Sequence, residues 1–183
     1  MATATNRIAK AAALIAALYG ARRYYRDWGA TKAECRMMLS GDTSVANPAV
    51  QTTEAVYIDA PASAVWPLLM QLGDRARLAR LPRGVTLAVA EAVPEKDLVL
   101  SVGKAGGGRK AVWSFHIQPH WEDRVRVLTR ARIALRHPGE IFAVELLRPA
   151  MTLGTRAVLL GVKRRVERRI PSVRPQQPIA ENR

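Results

Sequence analysis

The sequence predicts an α+β fold in which antiparallel strands precede one long closing helix. Three observations predict it. Residues Thr53 to Gly73 hold a strand, a sharp turn and a helix with almost no spare residues; two segments, 85–102 and 113–135, alternate apolar and polar with the period of strands; and from about Glu140 the apolar residues recur at helical spacing.

At the N-terminus, Ile8 to Ala21 is an alanine-rich apolar run with Lys10 inside it and Arg22, Arg23 and Arg26 just after. It reads as a helix. It falls short of the roughly 20 apolar residues that a spanning helix needs. The basic start (Arg7, Lys10) suits a secretory signal, but the basic cluster directly after the run fits a cleavage region poorly. A packed or interfacial helix therefore ranks ahead of a membrane anchor, and a cleaved signal comes third. In the interfacial reading Leu14, Ile15 and Leu18 enter the headgroup boundary, the arginines meet anionic lipid, and Tyr24, Tyr25 and Trp28 sit at interfacial depth. In the other reading these aromatics pack on the domain. Residues 1–38 thus form an N-terminal helical extension, the turn-rich 39–52 a linker, 53–170 the main domain, and 171–183, with Pro171, Pro175 and Pro178 among polar residues, a disordered tail.

Glu54, Val56 and Ile58 alternate with Ala55, Tyr57 and Asp59, which places Val56 and Ile58 in the core. Pro61 fixes φ at a value suited to the first turn of a helix, and Val65, Leu68, Leu69 and Leu72 follow on one stripe. Pro67 predicts a kink or two short helices, and Gly73 a C-cap. From Val85 the chain alternates again, with Val85, Leu87, Val89 and Val93 on one face, a turn at 94–97, and a returning strand from Leu98 to Val102. The glycine-rich 103–110 is a connection between strands: a phosphate-binding loop needs G-x-x-x-x-G-K-S/T between a strand and a helix, and this segment lacks both ending and context.

In the second hairpin Trp113, Phe115 and Ile117 alternate with Ser114, His116 and Gln118. After a turn at 119–123, Val125, Val127, Thr129, Ala131, Ile133 and Leu135 alternate with Arg124, Arg126, Arg130, Arg132 and Arg136. Residues two apart on a strand share a side, so these guanidinium groups form a stripe on the outer face. The stripe is either a solvated face partly neutralised by nearby acids or a contact for lipid or nucleic-acid phosphates. His116 lies on the outward register, and none of the three histidines stands with a carboxylate or cysteine at metal-ligand spacing. No nucleophile elbow, H-E-x-x-H or oriented Cys–His pair is present in the sequence. The closing helix spreads Leu153, Ala157 and Leu160, with Val158, Val162 and Val166 beside them, over a broad apolar surface; Gly161 within it suggests close approach of the sheet. Lys163, Arg164, Arg165, Arg168 and Arg169 crowd its C-terminal end, where the helix dipole favours cations.

The run Ile58-Asp59-Ala60-Pro61, with Val65-Trp66-Pro67 and Gln71-Leu72-Gly73, resembles the actinobacterial-type SRPBCC family, related to START, Bet v 1 and polyketide cyclase-like proteins. Trp28-Gly29-Ala30-Thr31 with Glu34, and Leu39-Ser40-Gly41-Asp42, look like its opening motif, and Leu159 to Glu167 is similar to its closing helix. The resemblance covers most of 27–167. It implies a helix-grip fold, a curved antiparallel sheet wrapping a long C-terminal helix around an apolar cavity. It implies no catalytic residues, because the family shares a container and no common constellation. Similar proteins carry a longer, aromatic-rich insertion after the position of Gly73 that adds strands and one cavity wall. Here Asp74 to Gly84, with Arg75, Arg77, Arg80 and Arg83, takes its place, which implies a cavity that is smaller, more open or filled by side chains.

The 183 residues suit one domain with extensions, and the single Cys35 excludes an intramolecular disulfide. The formal net charge of +14, with a pI near 11.1, brings anionic partners into consideration. The sequence reading is a helix-grip domain, cytoplasmic or membrane-associated, that binds a small apolar or amphipathic molecule without cofactor or metal. Trp66, Met70, Trp113, Phe115, Leu153 and Ala157 are its cavity candidates, and Arg124, Arg126, Arg130, Arg132 and Arg136 its anion contacts. Two rivals remain: a filled basic protein that uses its arginine face and C-terminal cluster on anionic membrane or, less readily, nucleic acid; and an enzyme of cyclase or dehydratase type, which requires a buried, pKa-shifted polar side chain inside the cavity.

Overall fold

The computed structural model describes residues 6–10, 12–13, 16–17, 20, 27–78, 85–104, 111–135 and 139–169. In chain order they form α1 (Lys32–Arg36), a 3-10 helix (Asp42–Val45), β1 (Val50–Ile58), α2 (Ala62–Leu78), β2 (Val85–Val93), β3 (Asp97–Lys104), β4 (Ala111–Trp121), β5 (Arg124–Ile133) and α3 (Glu140–Glu167). The five strands make one antiparallel sheet in the order β1-β5-β4-β3-β2. Two hairpins bring β2 through β5 side by side, and the chain then returns β5 against β1. With α3 laid across the inner face, this is a helix-grip fold.

The strand alternation sets the core. Val56 and Ile58 of β1, Leu98 and Leu100 of β3, Phe115 and Ile117 of β4, and Val125 and Val127 of β5 point to the inner face. There they meet Val65, Leu68 and Leu69 of α2 and Leu159, Val162 and Val166 of α3. The Pro61 start signal holds, since α2 begins at Ala62, but the helix runs unbroken through Pro67 and past Gly73 to Leu78. Gly73 is therefore no C-cap. A Cβ there would stand 3.2 Å from Val89 Cγ2, so the glycine lets β2 approach α2 closely.

Three further expectations change. β2 carries an irregularity between Val89 and Glu91, after which Ala92 pairs with Leu98 and Val93 with Asp97. The extra residue turns Val93 to the outer face, where it is exposed, instead of keeping it with Leu87 and Val89. Gly161 has nothing within 4 Å of its would-be Cβ, so close approach of the sheet does not account for it. Pro119 falls within β4 rather than in the turn, beyond the last β3 partner at His116, where one side of the strand has no ladder to break.

The segment expected as a linker is built structure. Residues 27–49 cross the outer face of the sheet as a strap, fastened at both ends. The Trp28 carbonyl accepts a bond from the Ala55 N–H of β1 at 3.1 Å. Gly29 (φ +76°) makes this possible, because a Cβ would stand 2.4 Å from the Ala55 carbonyl oxygen. Thr31 caps α1 in a capping box with Glu34. Gly41 (φ +88°) presses against Val99 of the sheet, where a Cβ would lie 2.7 Å from Val99 Cγ1, and Val45 joins Val99 and Val112 in a second apolar cluster. The residues that resemble the family's opening motif are those that fasten this strap. Of the N-terminal run, residues 6–10 are helical and exposed, Ile8 at 70%. Leu14, Ile15, Leu18 and residues 22–26 lie outside the described residues, as does the expected disordered tail.

Candidate functional site

The outer face holds the arginine row that the register predicts, yet it is neither solvated nor open to phosphates along its length. Arg126 and Arg130 are buried beneath the strap. Arg126 forms a two-bond pair with Glu34, its Nη2 lying 2.8 Å from Oε2, donates to the Gly29 carbonyl at 2.8 Å, and lies over the Tyr57 ring at 4.4 Å. That hydrogen-bonded guanidinium holds the Glu34 carboxyl down at about 2. Arg130 pairs with Asp42 at 2.6 Å and donates to the Met37 carbonyl at 2.8 Å and to Thr53 Oγ1 at 3.1 Å. Arg132 reaches the other Asp42 oxygen at 3.0 Å and the Ala46 carbonyl at 3.0 Å. Arg124 keeps partial exposure beside Asp59, and Arg136 lies outside the described residues. The anion partners of Arg126, Arg130 and Arg132 are thus carboxylates of this chain, because the strap returns Glu34 and Asp42 over them.

The same face holds His116 with a carboxylate, which sequence spacing did not show. His116 Nδ1 lies 2.7 Å from Asp97 Oδ1 and Nε2 lies 2.8 Å from Ser114 Oγ, while Ser40 Oγ donates to the other Asp97 oxygen at 3.0 Å. The signal was the cross-strand pairing of Asp97 with His116. The order Asp–His–Ser matches a hydrolytic triad, but Ser114 and His116 are buried under the strap and no substrate reaches the hydroxyl. Burial moves the His116 pKa below its usual value. The chain is a structural link from sheet to strap.

On the inner face, the cavity candidates separate into two groups. Phe115 is fully buried, Trp113 packs tilted against it with ring centroids 4.8 Å apart and donates its indole N–H to Thr129 Oγ1 at 2.9 Å, and Trp66 and Met70 are half-buried against the same core. Leu153 (51% exposed) and Ala157 stand on the solvent side of α3. The inward stripe of that helix is Arg148, Thr152, Leu159, Val162 and Val166, so its two polar members were passed over in favour of apolar residues on the opposite side.

Space remains between the first half of α3 and the strand ends where Val50 pairs with Ile133 and Thr52 with Ala131. This cleft, about 20 Å³, is walled by those four residues and by Val144, Arg148, Met151, Thr152 and Thr155. It is room for about one water molecule. Arg148 is buried here with Glu145 at 3.2 Å, and Thr152 Oγ1 donates to the Arg148 carbonyl at 3.0 Å. One inward position beyond Thr52 stands Glu54, 1% exposed, facing Thr129 in the register, with neither carboxylate oxygen hydrogen-bonded. Burial raises its pKa to about 7 against a smaller opposing pull from Arg156. Among the described residues, no cluster of histidine, cysteine and acidic side chains suits a metal ion, and no helix is long and apolar enough to cross a membrane.

No protein-family profile matches this chain, and no curated protein matches it by sequence. Among solved structures it is similar to a polyketide cyclase-like protein of Corynebacterium glutamicum, at 12% identity and a TM-score of 0.49, covering 69% of this chain and 97% of that one. It is similar also to a conserved protein of Geobacillus kaustophilus (10%, TM-score 0.48, 65% and 96% covered) and to a Streptomyces aromatase/cyclase (14%, TM-score 0.41, 63% and 94% covered). Likeness at this level transfers no residue role and no substrate. The SRPBCC resemblance is one of frame: the antiparallel sheet and long closing helix are those it implied.

Proposed function

We propose that this chain is a binding module for a small amphipathic molecule, held between the first half of α3 and the ends of β1 and β5. The observation that carries this reading is the mixed lining of that cleft. Val50, Ile133, Val144 and Met151 offer apolar wall, while Thr52, Arg148, Thr152 and Thr155 offer polar atoms and a cation within the same grip. Such a lining suits an apolar body with a polar or acidic end. The cleft as it stands admits only a water-sized occupant, so a ligand enters by displacing the helix that closes it. Pro149 lies between the lining residues Arg148 and Met151; its missing N–H interrupts the α3 ladder there and lets the first turns tilt from the sheet.

Native mass spectrometry of gently purified protein, followed by extraction of anything released, tests this reading. A stoichiometric small molecule, lost from an Ala131→Trp variant that fills the cleft, is the expected result. A clean apo mass, with no uptake from a lipid extract, overturns it.

A second reading rests on Glu54. A buried carboxyl that titrates near neutrality within the grip is the group that proton-transfer chemistry of cyclase or dehydratase type requires. Conversion of a bound polyketide-like carbonyl compound by the wild type and not by Glu54→Gln would move the function from binding to catalysis.

A further inference from the structure

The face of α3 turned away from the sheet carries two kinds of exposed side chain in sequence. Its first half presents Leu146, Leu147 and Leu153, exposed at 71%, 57% and 51%. Its last turn presents Arg164 and Arg165, and Arg168 and Arg169 follow at its C-terminal end, all exposed. Steps of three and four run from Leu146 through Ala150, Leu153 and Ala157 to Gly161, Arg164 and Arg168, so the leucines and arginines share one side of the helix. Two acids of the helix are engaged elsewhere: Glu145 with Arg148, and Glu167 with Lys163 at 2.7 Å and with the Asp59 N–H at 3.1 Å. Glu140 lies at the far N-terminal end.

We infer that this face of α3 docks on an anionic lipid surface, with Leu146, Leu147 and Leu153 in the headgroup boundary and the four arginines against lipid phosphates. Charge complementarity selects this occupant. A second copy of the chain would bring a net charge of +14 against the same charge. A nucleic acid would satisfy the arginines and leave three large apolar side chains in water. A bilayer interface meets both needs along one helix. The surface includes the C-terminal cluster of the sequence reading and leaves out the β5 row, since Arg126, Arg130 and Arg132 are taken up by carboxylates inside the protein. It does not depend on whether the cleft holds a ligand.

The test is co-sedimentation of the full chain with vesicles of phosphatidylcholine alone or with phosphatidylglycerol added. Binding is expected to strengthen by about tenfold or more with the anionic lipid and to weaken as salt is raised. Arg164→Gln with Arg168→Gln removes most of the dependence on anionic lipid, and Leu146→Ser with Leu153→Ser lowers binding to both vesicles. All four positions are exposed, so melting temperatures stay near wild type. Wild-type binding that neither pair changes would place the contact elsewhere, such as in the N-terminal run, and overturn the inference. So would absence of vesicle binding, or tight binding to duplex DNA that ignores the leucine pair.

Discussion

Arg130 and Asp42, 88 positions apart in the chain, meet at 2.6 Å, and each side chain is 2% exposed. Asp42 also accepts the Leu39 N–H at 3.0 Å and holds Arg132, so one carboxylate ties the strap to two arginines of β5. Taking it away leaves buried guanidinium charge without its counter-ion, a change that costs about 3–5 kcal/mol. Asp42→Ala is therefore expected to lower urea stability by that amount. Asp42→Ala with Arg130→Met is expected to lose less than the sum of the two single changes, because the second removes the charge the first orphans.

Glu54 gives the opposite kind of effect. Its folded pKa of about 7 stands above the usual 4.5, so the folded protein keeps a proton that the unfolded chain has released. Between those values the folded state binds more protons, and stability falls as pH rises, by roughly 3 kcal/mol across the window. Glu54→Gln removes the ionisable group and keeps its shape. Thermal melts should show the variant more stable than wild type at pH 8, with little difference at pH 4. Equal melting temperatures at both pH values would show that Glu54 is not held in a desolvated site.

Glu34 carries the reverse sign. The Arg126 hydrogen bond lowers its pKa from 4.5 to about 2, so its contribution is fully present above the unfolded value and is lost as pH falls toward 2. Glu34→Gln should weaken the fold at neutral pH by about 1.5–3 kcal/mol, the range for a hydrogen bond to a charged group. The gap from wild type should close on acidification through that window. A pH titration of unfolding for both proteins checks it.

These residues also show how far the sequence could be read. Glu54 was legible as a neighbour of Val56 and Ile58 on one strand face, since the period of two puts all three inward. Its importance was not, because alternation states direction and says nothing of whether a partner waits there. The β5 arginines were placed on the correct side for the same reason. Their partners come from Glu34 and Asp42, and no local pattern encodes that return of the strap. On α3 the apolar residues occupy two sides, and the buried side includes Arg148 and Thr152, so hydrophobicity pointed to Leu153 and Ala157 on the wrong one. The bulge that turns Val93 outward has no signature in the residues around it.

Gly29 fastens the strap through its backbone alone. Alanine there meets the Ala55 carbonyl oxygen at 2.4 Å and must hold a φ of +76°, a conformation that costs an L-residue about 1–2 kcal/mol before the clash is counted. Relief requires that the Trp28–Ala55 bond and the Arg126 bond to the Gly29 carbonyl lengthen or break. Gly29→Ala should therefore speed hydrogen exchange at the Ala55 amide while leaving amides of β3 and β4 protected. Uniform loss of protection across the sheet would instead mark the strap and sheet as one cooperative unit.

Two helical glycines separate propensity from packing. Gly161 of α3 has no atom within 4 Å of a would-be Cβ, so Gly161→Ala should gain the helix-propensity difference, about 1 kcal/mol, with nothing to oppose it. Gly73 of α2 offers the same propensity gain, but its Cβ would lie 3.2 Å from Val89 Cγ2 and 3.8 Å from Leu98 and Leu100 methyl carbons. Alanine there has to push β2 away from the helix, which offsets the gain, and valine adds methyl groups to a packed contact at a cost of about 1–3 kcal/mol. Chemical denaturation should rank Gly161→Ala above wild type, Gly73→Ala at or below it, and Gly73→Val well below. A clear stabilisation by Gly73→Val would mean that β2 is free to move from α2, and that the inner face opens on the β2 side as well as at the cleft beside β1.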